Sequence, residues 1–308
     1  MTSRGATVLA LVVLVITVGL AAGCGADAPG PAAATGVAWA DGDRIRLASG
    51  AERRVDGEVL WFAETTAGVA YLPATQGGST DGGDPLGSPL LLDDGRGDPL
   101  ELAADASAPV ASPDGRWLAW NELDTEQRQV RLDLVLYDVT TGERSRPFPP
   151  DTGLRATRLT DTVAYVTTFD EVLVLDLATG ASRPARGAAR DVLDVAALSS
   201  PDGRWRTDVR GEAAGVVSAD GDPVELDLPG PELLRPRWID DDTVVGVVPD
   251  VPTEELATGE TTGADLVACD VPAGTCGVVP GTRDRTILLP DTEEPTQVSA
   301  SGPSGYED

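Results

Sequence analysis

The chain has no histidine and no lysine: its 23 basic residues are all arginine, set against 51 acidic ones. Without histidine, Ser-His-Asp and Cys-His nucleophile chemistry is absent, and so is the commonest metal ligand. A formal charge of −28 over 308 residues repels phosphate backbones and anionic headgroups, which excludes nucleic acid as a partner. Aromatic residues make up 4% of the chain, too few for the stacked platforms on which sugar sites are built. The six tryptophans, Trp39, Trp61, Trp117, Trp120, Trp205 and Trp238, sit mostly inside strand-like phrases and read as packing residues. The glycine-rich stretch from Gln76 to Gly87 lacks the lysine and following helix of a phosphate-binding loop, and reads as a plain loop. No cofactor and no bound metal are expected. Asp240-Asp241-Asp242 lacks the spaced oxygens and glycine of a calcium loop and reads as a solvated turn.

Long apolar patterns of period 3.6 are also missing, which removes the alternating helices and strands of a transporter's solute-binding lipoprotein. The one long apolar run is at the N-terminus. Residues 1–23 (MTSRGATVLALVVLVITVGLAAG) place Arg4 before an apolar stretch and close on small residues, the three-part grammar of a signal peptide. A lone Arg4 argues against twin-arginine export. Ala21-Ala22-Gly23-Cys24 resembles the lipobox of bacterial lipoproteins, with its leucine one place early at Leu20. The resemblance implies cleavage before Cys24 and a diacylglycerol on the Cys24 sulfur, anchoring the chain on the extracytoplasmic face of the cell membrane. Residues 24–35 then form a lipidated end and a flexible tether. The absence of lysine beside heavy use of Ala, Gly, Asp, Arg and Val resembles a protein from a high-GC actinobacterium.

Three cysteines are an odd number for an exported chain. With Cys24 lipidated, Cys269 and Cys276 remain. They flank the Pro272-Ala273-Gly274 turn, and a hairpin centred there sets them directly opposite each other, within disulfide reach. An oxidising exterior favours the bond.

Internal repetition organises the rest. Ser-Pro-Asp-Gly-Arg-Trp occurs at residues 112–117 and again at 200–205. Proline suits the first corner of a turn, Asp114 and Asp202 can bond their own backbone, and Gly115 and Gly203 accept positive φ. A second phrase, a strand ending in a short turn closed by glycine, recurs at Gly50, Gly95, Gly142, Gly180, Gly221 and Gly274, at separations of 45, 47, 38, 41 and 53 residues. Several strands per period of about 40 to 50 residues is the spacing of propeller blades. In this frame Thr160-Asp161-Thr162 and Asp240-Asp241-Asp242 stand where two further copies of the Ser-Pro-Asp-Gly turn would be.

Ser-Pro-Asp-Gly-Arg-Trp, an apolar strand, then a glycine turn together resemble the TolB-type propeller repeat, a relative of WD-type repeats. The resemblance implies an all-β chain. It further implies a single β-propeller over residues 36–290, with six blades of four antiparallel strands. The first blade begins at its second strand, and Thr286 to Leu289 supply the missing one beside Val37-Ala38-Trp39. Residues 291–308 read as a disordered acidic tail.

With the strands of each blade labelled a to d, the Ser-Pro-Asp-Gly turns join a to b and the glycine turns join c to d. The b–c loops at residues 75–89, 124–131 and 250–263 are long, and were expected to carry partner binding. These residues favour a monomeric binding or scaffold module for an envelope protein, peptide or wall component. The alternative is an exported hydrolase or lyase using carboxylates at the central channel. The lipid anchor gives the first test. Cells fed a palmitate analogue should label the natural chain and not Cys24→Ser, and the variant should leave the membrane fraction; equal labelling of both would remove the anchor.

Overall fold

Alternation of period two calls for strands with one face inside, and unbroken apolar runs call for strands covered on both faces. Both kinds occur in the computed structural model, which describes residues 36–74, 88–124, 131–149, 153–167, 171–186, 199–208, 214–257, 261–292 and 294–301. The signal segment 1–23, Cys24 and the tether to Thr35 lie outside the described residues. So do 75–87, 125–130 and 258–260, which hold most of the first two long loops and three residues of the third. In Val163–Thr167 half-buried and buried residues alternate, whereas six of the seven residues of Thr243–Pro249 are buried. Among the described residues there is no α-helix, and the one helical element is a 3-10 turn at Thr253–Glu255.

The strands form antiparallel meanders in chain order. The first is β1 (Trp39–Asp41), β2 (Arg44–Arg46) and β3 (Glu52–Arg54). A seven-stranded sheet follows: β4 (Val59–Thr65), β5 (Gly68–Pro73), β6 (Ser88–Asp93), β7 (Leu100–Ala111), β8 (Trp117–Asp124), β9 (Arg131–Asp138) and β10 (Glu143–Ser145). It divides at β7, whose residues Leu100 to Ala106 pair with β6 and whose residues Ala106 to Ala111 pair with β8. Next come β11 (Arg155–Leu159), β12 (Val163–Thr167), β13 (Val172–Asp176) and β14 (Ser182–Pro184). Then follow β15 (Trp205–Asp208), β16 (Gly215–Ser218) and β17 (Pro223–Val224), with Ser199 bridged to Arg206. The last large sheet is β18 (Leu234–Trp238), β19 (Thr243–Pro249), β20 (Thr261–Asp270) and β21 (Thr275–Val278). On β20 and β21, Cys269 and Cys276 stand opposite each other and form a disulfide, with Cα atoms 4.0 Å apart.

Neighbouring sheets share apolar cores. Ile45 packs with Phe62 and Tyr71; Trp61 and Leu72 share a core with Trp120 and Val135 across the seven-stranded sheet; Leu134 and Leu136 pack with Ala164 and Leu175; Val216 packs with Val244 and Val267. The end of the chain returns to its beginning. Val37 and Trp39 share a core with Val247, Leu266, Ile287 and Leu289. Ala40 N–H donates to Leu288 O at 2.8 Å and Leu288 N–H to Ala40 O at 2.9 Å. The bonded pair is thus one residue beyond the Val37 to Trp39 stretch expected for it.

The reading of residues 291–308 as a disordered acidic tail does not hold as far as Ser301. β22 (Thr286–Ile287) pairs with β23 (Thr296–Gln297), and β24 (Ser299–Ser301) pairs with the start of β20. Val298 is fully buried and Ala300 nearly so. The segment is polar on average, but its two apolar residues are two apart, so an extended backbone turns both to one face. That alternation is too short to outweigh composition in a sequence reading. The sheet domain therefore runs past Pro290, and residues 302–308 lie outside the described residues. Truncation after Ser301 should leave the melting temperature unchanged. Truncation after Pro290 should lower it, because burial of Val298 alone contributes about 1.5–3 kcal/mol. A chain ending at Pro290 that melts with the full-length protein would show these strands to be dispensable.

Candidate functional site

Five a–b turns are built on a side-chain oxygen at the end of the first strand of each unit. In the Ser-Pro-Asp-Gly copies, Trp117 N–H donates to Ser112 Oγ (2.9 Å) and Trp205 N–H to Ser200 Oγ (3.1 Å). Each serine hydroxyl donates to the aspartate two residues on, Asp114 or Asp202, which also accepts from the N–H of Arg116 or Arg204 at 3.0 Å. Three tighter turns do the same within four residues: Val163 N–H donates to Thr160 Oγ1, Thr243 N–H to Asp240 Oδ1, and Ala67 N–H to Thr65 Oγ1. A hydroxyl or carboxylate here satisfies amides that the hairpin leaves without a ladder partner.

These turns are bonded to one another. Thr66 N–H donates to Gly115 O (2.9 Å), Asp114 N–H to Asp161 Oδ1 (3.2 Å), and Arg158 Nη2 to Ser200 O (3.3 Å). Arg204 Nη2 and Trp205 Nε1 both donate to Asp242 Oδ1. Asp291, from the end of the chain, reaches the seven-stranded sheet: its N–H donates to Phe62 O and its Oδ1 accepts from Ala111 N–H. The carboxylates of Asp240 and Asp242 are thus engaged by protein donors, as a turn requires. Gly50, Gly95, Gly115, Gly142, Gly180, Gly203, Gly221 and Gly274 all have φ between +67° and +92°. Gly115 is doubly constrained, since a Cβ there would meet Thr65 Cα at 2.9 Å where two turns touch. The c–d turns are anchored by the aspartates that open the repeated glycine-turn phrase. Asp138 is the most buried of them; it accepts from Thr140 N–H and Thr141 N–H and pairs with Arg116 at 2.8 Å. That guanidinium holds its carboxyl below the usual range.

Inside this rim lies a cavity of about 650 Å³. Residues on or next to the first strands of all five meanders line its wall: Ala38 beside β1, Glu64 from β4, Ser112 after β7, Arg158 from β11, Ser199 before β15 and Arg237 from β18, with Asp291 alongside. Of the tryptophans, Trp238 lines it, whereas Trp61 and Trp120 are fully buried in the core. Three of the wall charges are poorly solvated. Burial pushes the Glu64 carboxyl up, against the opposing effect of Ala48 N–H, which donates to its Oε2 at 3.1 Å. Burial lowers the pKa of Arg158, opposed in part by Tyr165 and Asp241, and that of Arg237, opposed in part by Asp291 and Glu294. Arg237 is exposed as a whole residue, and the protein packed around its guanidinium still lowers its pKa.

The sequence reading identified the turns and missed these wall residues. Glu64, Arg158 and Arg237 lie on the first strands of three units, one, two and three residues before the turn oxygens of Thr65, Thr160 and Asp240. The differing offsets, and the uncharged Pro109, Val110 and Ala111 before Ser112, leave no repeated signal that would have found them.

No protein family matches the chain, and no curated protein matches it. Among solved structures, TolB from Acinetobacter baumannii is similar at 15% identity, covering 85% of this chain and 65% of that one, with a TM-score of 0.38. A puromycin hydrolase S511A mutant complexed with PGG is similar at 14% identity, 84% and 55% coverage and a TM-score of 0.35. The β-propeller domain of the Trilobed protease from Pyrococcus furiosus is similar at 10% identity, 68% and 69% coverage and a TM-score of 0.34. The chain spans less than two thirds of the first two. These TM-scores lie below 0.5, and nothing about this chain's function rests on them.

Glu64 supplies a pH test. Its raised pKa means that ionisation is disfavoured in the folded chain, so the natural protein loses stability as pH rises through and above the glutamate range. Glutamine keeps an acceptor for Ala48 N–H and cannot ionise. Glu64→Gln should therefore melt above the natural chain at pH 7, with the difference closing below about pH 4. A constant difference across that range would place the burial penalty elsewhere.

Proposed function

We propose that the chain is an envelope lipoprotein, held by lipid on Cys24 at the extracytoplasmic face of the cell membrane, whose sheets form the six blades of one β-propeller. The blade count takes β7 as shared between the second and third blades and residues 286–289 as the closing strand of the first. Support comes from the chain-order meanders, the cores shared between neighbouring sheets and the Ala40–Leu288 hydrogen bonds. The propeller acts as a monomeric binding module, and its site is the central cavity.

One observation carries this reading: a cavity of about 650 Å³ lined by residues on or next to the first strands of all five meanders, within the size range of small-ligand sites. The long b–c loops remain a second surface by expectation, but the described residues leave most of them out. The rival reading, carboxylate-dependent hydrolysis, draws on Glu64 and Asp291, which both line the cavity. Each already commits an oxygen to a backbone amide, from Ala48 and Ala111. That is the role of a structural carboxylate rather than of a free acid–base pair.

The test is to fill the cavity. Thr157 lines it and is exposed, so Thr157→Trp blocks the space without entering a core. Immobilised natural chain should retain material from envelope extracts that the equally stable variant does not. Equal retention by both would place binding outside the cavity.

A further inference from the structure

Arginine in this chain has an abundance of carboxylates to meet, with acids outnumbering bases more than two to one. Many arginines meet one: Arg116 pairs with Asp138, Arg283 with Asp250 and Asp265, Arg285 with Asp41. Surface arginines without an ion pair have bulk water instead. Arg158 and Arg237 have neither in full. Both line the cavity, and Arg158 makes one hydrogen bond, to a carbonyl. Among the described residues Arg237 has no ion pair within 4.0 Å and no hydrogen bond. They are also the only described arginines whose pKa is lowered, burial outweighing the opposing effect of Tyr165 and Asp241 at Arg158 and of Asp291 and Glu294 at Arg237.

A guanidinium presents up to five N–H donors in a planar fork, and its best complement is an oxyanion with two oxygens on one edge. In a strongly acidic protein, two such groups kept inside one cavity describe the place of an anion supplied from outside. The rest of the wall restricts which anion. Glu64 lies on the same cavity from another sheet, and its Oε1 accepts no hydrogen bond from a described residue. A purely anionic ligand would meet its repulsion; one carrying an ammonium group at its other end would gain from it.

We propose that Arg158 and Arg237 together bind the carboxylate of a zwitterionic ligand, a free amino acid or short peptide, whose ammonium group is received by Glu64. The inference rests on the reading of the cavity as a binding site. The cavity volume suits a ligand of a few residues and excludes a folded partner.

Calorimetric titration of the full chain can use a free tripeptide, its C-terminal amide, its N-acetyl form and inorganic phosphate. The free tripeptide should bind. The amide should bind about tenfold to a hundredfold more weakly, the loss expected for charge-assisted hydrogen bonds. Arg237→Gln removes a charge but no hydrogen bond or close ion pair with a described residue, so it should fold normally and lose the preference for free tripeptide over amide. Glu64→Gln should lose the preference for free tripeptide over the N-acetyl form and keep the other. An amide that binds as well as the free acid overturns the carboxylate assignment. Phosphate binding without peptide binding overturns the zwitterion. If no probe binds while Thr157→Trp still abolishes retention of envelope material, the ligand class is wrong and the cavity reading stands. If retention also survives Thr157→Trp, the cavity reading itself fails.

Discussion

Two hydrogen bonds between Ala40 and Leu288 join the ends of the described chain, and the cavity depends on that junction. A row of antiparallel meanders can remain open, with two free edges that invite pairing with other chains. The last strands instead meet the first, so that strand edge is paired rather than left open. Little backbone bonding does this. Most of the closure is apolar, from Val37, Trp39, Ile287, Leu289 and Val298 packed on the last sheet. Direction is supplied by the hydrogen bonds and attraction by the buried surface, which is the usual division between the two.

The rim follows from the same geometry. Once the first strands of successive units stand side by side, their following turns lie close enough to bond. A bond from one turn to the next then fixes the spacing of both. This explains why side-chain oxygens recur at Thr65, Ser112, Thr160, Ser200 and Asp240 while the residues after them differ. The oxygen closes each turn on itself, and the variable residues make the sideways contacts. Surface ion pairs add little to such an arrangement. Arg116 with the buried Asp138 is of another kind, because the carboxylate also holds two backbone amides and cannot be replaced by water.

The parts of this architecture legible in the sequence are those in which a local rule is obeyed in place. Gly115, Gly203 and the six c–d glycines announce themselves because positive φ restricts the residue type. Cys269 and Cys276 do so because hairpin register is set by its turn. What escaped notice depends on contacts distant in the chain. Val298 and Ala300 are unremarkable serine-flanked residues until β20 offers them a face. Arg158 and Arg237 belong to short strands in which a charged residue ordinarily points to water. In an enclosure the water-facing side of a first strand is the cavity wall. Period-two reasoning yields the correct alternation there and the wrong surroundings.

β7 joins two units by one uninterrupted strand, bonded to β6 over its first half and to β8 over its second, with irregular pairing between Ser107 and Val110. A strand with two sets of partners has no slack. Adding or removing one residue in it would slip the register on one side and turn every following side chain of the strand to the opposite face. The loop between β5 and β6 is under no such restriction. Length variation in this molecule is therefore tolerated where strands are joined by loops and forbidden where one sheet is continued into the next.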